Sequence, residues 1–394
     1  MKLILTIIFS IFTLLINISI PSYSKSLITY KLTENDTIHY QNIKNIKYTP
    51  NSKYFVVNQR SYDKKINIFE ENGELYKSYN IDDSYTDKYL DLINQNPESD
   101  TILTTNSLKE FFGNKSDIYG NTISESLFIS DSVLVTIGIL NYIINSKYRN
   151  IGYDMLSCNT VVLFRINIFT DIVDVIPLKF IDQKLYPQAN SLEFVNNHFY
   201  FILFPMGQFK KIPNSPEEII GRFNFNENIW SPILRLPNEY ITSNINQGLD
   251  YNYKISSYKD ETYFISPFTN YLFNSKNDTI WLSDLQDPIK FSLNTHNAIR
   301  IYDEQDLSKL DSLSHNIVDF SFLENQILVL LNKPVNYDGK VYLNKYSLSG
   351  KLIDSTIVHI GESLETIFIS ENRKKIIKVY MENEDWWVEE ININ

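Results

Sequence analysis

The stretch DFSFLENQILVLLN, residues 319–332, holds a short apolar piece, a polar break at Glu324-Asn325 and a stronger apolar run. Asn and Asp tolerate left-handed backbone angles and hydrogen-bond to their own backbone, so polar breaks of this kind read as tight turns. The flanking segments are rich in Ile, Leu, Val and Phe and are bounded by turn residues, as paired strands are. One hairpin says little by itself. Its recurrence decides the fold.

Upstream, KISSYKDETYFISP (254–267) breaks at Asp260-Glu261, SLEFVNNHFYFILF (191–204) at Asn196-Asn197 and SLFISDSVLVTIGIL (126–140) at Asp131-Ser132. Successive breaks are 65, 64 and 64 residues apart. Downstream, TIFISENRKKIIKVY (366–380) breaks at Glu371-Asn372, 47 residues on, and NSKYFVVNQ (51–59) is an early copy that breaks near Ser52. In most units a second hairpin follows. Its turns fall at Glu71-Asn72-Gly73, Thr170-Asp171, Asn226-Glu227-Asn228, Ser349-Gly350 and Asn383-Glu384-Asp385. One unit is thus two hairpins, or four antiparallel strands, repeated along the chain.

A lone four-stranded meander leaves at least one apolar face in water. Radial stacking of such sheets covers both faces and leaves only short edges. The predicted fold class is therefore all-β: a β-propeller of four-stranded antiparallel blades, six in number, or seven if the blades are shorter. SLITYKL (26–32) is placed to complete the last blade and close the ring. The four letters Asn-Asp-Thr-Ile occur at 35–38 and again at 277–280, and read as a turn followed by a strand start rather than as a site.

Composition agrees. There are 27 Tyr and 24 Phe, which favour strands, and only two alanines, Ala189 and Ala298, although alanine is the best helix former. Lys-rich, Asn-rich usage also reflects codon bias. The net charge of −11 argues against a grip on nucleic acid, which needs a basic footprint. Cys158 is the single cysteine, which excludes a disulfide scaffold and reads as a small packed hydrophobe.

The N-terminus reads MKLILTIIFSIFTLLINISIPSYSKS. Lys2, the apolar run Leu3–Ile20, the helix-ending Pro21 and small residues at Ser22 and Ser24 follow the order of a secretory signal peptide, cleaved after Ser24. An uncleaved anchor is the alternative. No cysteine follows the run, which argues against a lipoprotein, and no later segment is long and apolar enough to span a bilayer. The expected organisation is a signal peptide over 1–24 and one propeller domain over 25–394. The expected location is exported: periplasm, cell surface or medium. The expected state is a monomer with no integral membrane segment after cleavage.

One unit is oversized. Ser52 to Ser132 spans 80 residues, and the surplus lies in an insertion at about 82–118. Ser84 with Asp87 reads as a helix cap ahead of Tyr85, Tyr89, Leu92 and Ile93, and Ser107, Glu110 and Gly113 frame one further turn around Phe111-Phe112. Loops on a rigid scaffold concentrate function. Tyr85, Tyr89, Phe111 and Phe112, with Trp387, therefore form the candidate binding surface. Trp386 and Trp387 point to opposite faces of one strand. Trp281 and Trp230 read as core between blades.

The signal peptide, the Asn-rich turns and the NDTI-aromatic strand start at 277–281 together resemble uncharacterised secreted six-bladed β-propellers of Bacteroidetes (TolB-like, or of a domain of unknown function). The resemblance spans the mature chain. It implies the propeller fold and export, and no reaction.

Strong chemical signatures are missing: there is no Gly-x-Gly-x-x-Gly, phosphate loop, His-Glu-x-x-His or Gly-x-Ser-x-Gly. His39, His198, His296, His315 and His359 sit about one per unit, with no pair at metal-ligand spacing. The acidic run 302–311 lacks the glycine turn of an EF-hand, so no cofactor is expected, with calcium the one weak candidate. No catalytic residue can be chosen. Two readings stand. In the first, the chain is a binding module for a peptide, protein or glycan, with a shallow aromatic-rimmed face. In the second, it is a hydrolase or lyase acting on polysaccharide, with a deep axial pocket lined by converging charged groups of shifted pKa.

Overall fold

A computed structural model of the chain describes residues 26–32, 43–59, 65–82, 84–95, 121–145, 155–180, 185–187, 192–196, 198–205, 218–224, 229–235, 254–265, 270–274, 276, 278–285, 316–332, 340–360 and 364–393. The proposed signal peptide, Phe111, Phe112 and the acidic run 302–311 lie outside these residues, as do the side chains of Cys158 and Trp230.

Six sheets, antiparallel but for one short parallel pair, follow one another along the chain. The first described strand, β1 (Ser26–Lys31), belongs to the last of them. Blade 1 comprises β2 (Ile43–Tyr48), β3 (Tyr54–Gln59), β4 (Lys65–Glu70) and β5 (Leu75–Asn80). A helix, α1 (Ser84–Gln95), leads to blade 2, built from β6 (Thr122–Phe128), β7 (Val133–Asn145), β8 (Met155–Asn167) and β9 (Ile172–Pro177). Two short strands, β10 (Lys179–Phe180) and β11 (Leu185–Pro187), flank blade 3, whose meander is β12 (Glu193–Val195), β13 (His198–Pro205), β14 (Glu218–Asn224) and β15 (Ile229–Arg235).

Blade 4 is β16 (Lys254–Tyr258), β17 (Glu261–Ile265), β18 (Tyr271–Asn274) and β19 (Thr279–Trp281). Blade 5 is β20 (Asn316–Leu323), β21 (Gln326–Asn332), β22 (Val341–Ser347) and β23 (Leu352–His359). Blade 6 is β24 (Leu364–Ser370), β25 (Lys375–Glu382) and β26 (Asp385–Asn392), completed by β1, with Tyr30 opposite Val388. The chain is a six-bladed β-propeller.

Among the described residues the turns fall where the polar breaks placed them; Asn226-Glu227-Asn228 lies outside these residues. Ser52, Asn196, Glu324, Asn325, Asn383 and Glu384 all have φ between 50° and 67°, the left-handed region that a tight hairpin requires. Gly73 (φ 88°) and Gly350 (φ 80°) hold the corresponding place in second hairpins.

Apolar seams join neighbouring blades. Blades 6 and 1 share Tyr30, Leu32, Phe55, Phe69, Val379 and Val388. Blades 2 and 3 share Leu127, Val135, Leu163, Phe199, Phe201 and Phe223, and blades 4 and 5 share Ile265, Leu272, Phe320, Val329 and Tyr346. Between blades 3 and 4 the Tyr200 ring meets Phe264, and its hydroxyl lies 3.1 Å from Thr262 Oγ1. A fully buried Leu or Phe is worth about 1.5–3 kcal/mol relative to exposure, so these seams supply most of the drive to close the ring.

The two turn glycines do the same job four blades apart. A Cβ on Gly350 of blade 5 would lie 1.8 Å from the carbonyl oxygen of Trp281, at the end of the outer strand of blade 4. A Cβ on Gly73 of blade 1 would lie 2.3 Å from the carbonyl oxygen of Lys31, at the end of the outer strand of blade 6.

Helix α1 begins at Ser84, but the capping carboxylate is Asp82 rather than Asp87. Asp82 Oδ1 accepts the Ser84 N–H (3.0 Å) and hydroxyl (2.5 Å). The strands β7 and β8 run past their neighbours: β6 stops opposite Ile139 and β9 opposite Val162, leaving 140–145 and 155–160 paired as a two-stranded ribbon. Nothing in the spacing of turns announced this extension.

Candidate functional site

The innermost strand of every blade, β2, β6, β12, β16, β20 and β24, contributes to one axial cavity of about 670 Å³. An inner strand exposes one side of its pleat to the axis, so alternate residues must be compatible with water there. Several are charged.

Two lysines of β2 reach across the channel wall. Lys47 Nζ lies 3.0 and 2.9 Å from the two carboxylate oxygens of Glu193, so blade 1 is tied to blade 3. Burial pulls Lys47 down, but Glu193 and Glu125 outweigh it and hold the amine above the usual lysine range. Lys44 pairs with Glu125 of blade 2, whose other oxygen accepts Asn45 Nδ2 at 3.0 Å.

The remaining charged pair is less well served. Lys254, on β16, lines the cavity, and among the described residues no carboxylate lies in ion-pair contact with it. Burial lowers its pKa; Asp319 opposes the shift and nearby Lys44 adds to it. Asp319, on β20, accepts the Ile369 N–H at 2.7 Å. Burial nevertheless raises its pKa, against the pull of Lys254 and that hydrogen bond. At one end Glu371 Oε1 accepts the hydroxyls of Ser256 (2.6 Å) and Ser321 (2.7 Å), joining blades 4, 5 and 6.

A second charged cluster lies in blade 6 and is structural. Glu390 is fully buried, and its Oε2 accepts Arg373 Nη2 (3.1 Å) and Lys375 Nζ (2.5 Å). Arg373 Nε sits 3.0 Å from Oε1, at an angle that makes the contact an ion pair without a hydrogen bond. The Arg373 guanidinium also stacks over the Tyr48 ring, 4.9 Å from its centroid, and the Tyr48 hydroxyl meets that of Tyr30 at 2.7 Å.

The aromatic residues singled out from sequence are not gathered at one face. Tyr89 is buried and Tyr85 packs edge-on to Phe164 of blade 2, so α1 presents both inward to the seam between blades 1 and 2. Trp386 is buried in the seam between blades 6 and 1, while Trp387 is half-buried. Trp281, expected in the core, is 49% exposed and leans on Tyr271, because β19 is an edge strand. His198 is half-buried with Nδ1 2.7 Å from the carbonyl of Asn196, a satisfied turn histidine. Among the described residues no three His, Cys, Asp or Glu side chains converge to hold a metal, and no helix is long and apolar enough to cross a membrane.

The axial residues were missed from sequence because they are spread over separate blades. A signal existed: Lys47, Glu125, Glu193, Lys254 and Asp319 each precede the first turn of their blade by three to six residues.

No protein-family model and no curated protein matches the chain. Among solved structures, it is similar to the β-propeller domain of Cps50 (Swd1) from Myceliophteria thermophila, at 8% identity and TM-score 0.41, over 90% of this chain and 85% of that one. The propeller domain of the trilobed protease from Pyrococcus furiosus, described as having an open velcro topology, is 8% identical at TM-score 0.39, over 88% and 79%. The Pyrococcus horikoshii acylaminoacyl peptidase is 7% identical at TM-score 0.37; 86% of this chain is covered, but only 42% of that one. At such identities and scores these likenesses say nothing of ligand or reaction. The fold implied by the resemblance to secreted propellers is present, while the family and its Bacteroidetes origin gain no support.

Proposed function

We propose that the chain is an exported binding module that takes its ligand in the axial cavity. The observation that carries this reading is the convergence of Lys47, Glu193, Lys254 and Asp319 on one cavity of about 670 Å³, within the range of small-molecule sites. The lining is charged rather than aromatic-rimmed. That is the lining expected of the enzyme reading and not the one expected of a binding module, so the two readings share this cavity and the tests must separate them. Export rests on the N-terminal apolar run alone. The test is a glycan and peptide array probed with wild type and with Lys254→Met. A ligand bound by wild type and lost in the variant supports axial binding; ligands retained equally by both overturn it. N-terminal sequencing of the protein recovered from culture medium or periplasm tests export, and an intact Met1 in the cytoplasm overturns that part.

A second reading, a polysaccharide hydrolase or lyase, is favoured by one feature. Asp319, with its pKa raised, and Lys254, with its pKa lowered, face the same cavity. Such opposed shifts suit a proton donor and acceptor. New reducing ends or unsaturated products from a polysaccharide panel, abolished in Asp319→Asn, would establish this reading over simple binding.

A further inference from the structure

Among the described residues three lysines line the axial cavity, and they differ in what the protein already gives them. Lys44 and Lys47 each have a carboxylate in contact, Glu125 and Glu193. For Lys254 the described residues supply no carboxylate in ion-pair contact; Asp319 is its strongest charged neighbour, with Lys44, Glu193 and Lys47 weaker ones. Asp319 in turn has one oxygen committed to the Ile369 N–H. An ammonium lining a cavity without a carboxylate against it is a place where an incoming anion replaces water and meets an opposite charge.

The surrounding carboxylates limit that anion. Glu125, Glu193, Asp319 and Glu371 all lie on the inner strands or at their ends. A dianion would bring its second charge against them, whereas a single carboxylate would answer Lys254 alone. Lysine is a point charge, without the fork by which arginine grips a phosphate. The same carboxylates are acceptors for hydroxyl groups: Glu371 already takes two, from Ser256 and Ser321. The lining is therefore suited to a molecule with one negative charge and several hydroxyls.

Resting on the reading of the axial cavity as the ligand site, we propose that Lys254 is its anion anchor and that the ligand is a small hydroxylated monocarboxylate, the class of the sugar acids. Asp319, on the adjacent blade 5, is a second polar contact, and the Lys47–Glu193 pair forms the fixed wall.

The experiment is lysine acetylation by acetic anhydride on the folded full-length protein, read by peptide mass spectrometry. Lys44 and Lys47, held by carboxylates, serve as internal references. D-glucuronate, D-gluconate, D-glucose and D-glucose 6-phosphate are the protecting probes. Lys254 is expected to label faster than Lys44 and Lys47, and glucuronate or gluconate to slow it at least tenfold while glucose does not. Glucose 6-phosphate is expected to protect less than glucuronate. Direct titration of Lys254→Met should show glucuronate binding no tighter than glucose, with Lys254→Arg restoring part of the difference. If Lys254 labels readily and no carboxylate protects it, the anion anchor is overturned while the open cavity stands. If Lys254 is unreactive in the folded protein yet labels in urea, the channel is closed, and the axial-ligand reading falls with it. Protection by glucose 6-phosphate exceeding that by both sugar acids overturns the monocarboxylate class.

Discussion

Lys47 and Glu193 stand 146 residues apart in sequence, yet the lysine Nζ meets both oxygens of the glutamate, at 3.0 and 2.9 Å, across the axis-facing wall from blade 1 to blade 3. Glu193→Gln removes the partner and leaves Lys47 charged in a sheltered site. A hydrogen bond to a charged group is worth about 1.5–3 kcal/mol, and water in the channel reduces this, so a loss of about 1–2 kcal/mol in urea unfolding is expected. A double-mutant cycle with Lys47→Met should show coupling of similar size; additive losses would mean that the pair contributes nothing.

Glu390 is the most consequential charge in the fold. It is fully buried and holds Arg373 and Lys375. Glu390→Gln leaves two cations facing each other without a countercharge, and breaking a buried pair in this way costs about 3–5 kcal/mol. Thermal unfolding should fall steeply in this variant, whereas loss of the exposed Lys374–Glu324 pair should be nearly silent.

Closure of the ring depends on β1. Leu32 has no exposed surface and its N–H donates to the Trp386 carbonyl at 2.9 Å. Leu32→Ala should cost about 2–5 kcal/mol, as large-to-small core changes do. Tyr30→Phe removes only the bond to the Tyr48 hydroxyl and should cost about 1 kcal/mol. Both are read by denaturant unfolding; equal effects would refute the packing account of the closing strand.

Asp319 gives a pH signature. Its folded pKa is raised, by burial above all, so the folded state holds its proton more tightly than the unfolded chain does. Stability from this group is full below the ordinary carboxylate range and is lost as pH rises through the raised value. Lys254 has a lowered pKa, so its burden is full below that lowered value and fades as pH rises toward the ordinary lysine range. The melting temperature of wild type should therefore drop relative to Asp319→Asn as pH rises from acid toward neutrality. Parallel profiles would show that Asp319 is not held in this way.

Gly350→Ala and Gly73→Ala each force a side chain into a left-handed turn and against a neighbouring carbonyl. Each should destabilise by more than about 1 kcal/mol, measured by thermal unfolding. Unchanged melting temperatures would mean that these turns relax freely.

The repeat was legible because a hairpin needs polar or glycine residues with left-handed angles at fixed intervals, and Ser52, Asn196, Glu324 and Asn383 supply them. The closing strand was legible because SLITYKL reads as a strand ahead of the first full unit, free to complete the last blade, and β1 does pair β26. Helix α1 was legible in its spacing, but the direction of Tyr85 and Tyr89 was not, since an amphipathic helix looks the same whether its aromatic stripe meets a partner or its own sheet. The axial site could not be assembled from the sequence. Its members come from separate blades, and only ring closure brings Lys47, Glu193, Lys254 and Asp319 to one cavity.

The contacts of Gly73 and Gly350 show where the circle is sealed. In each, the outer strand that supplies the carbonyl leads straight on in sequence to the blade whose glycine turn meets it: Lys31 runs on to blade 1 and Trp281 to blade 5. Every petal-to-petal joint, that of blades 6 and 1 included, is therefore crossed by a continuous backbone, and the weld between the early and late parts of the chain lies inside a sheet, where β1 lies alongside β26.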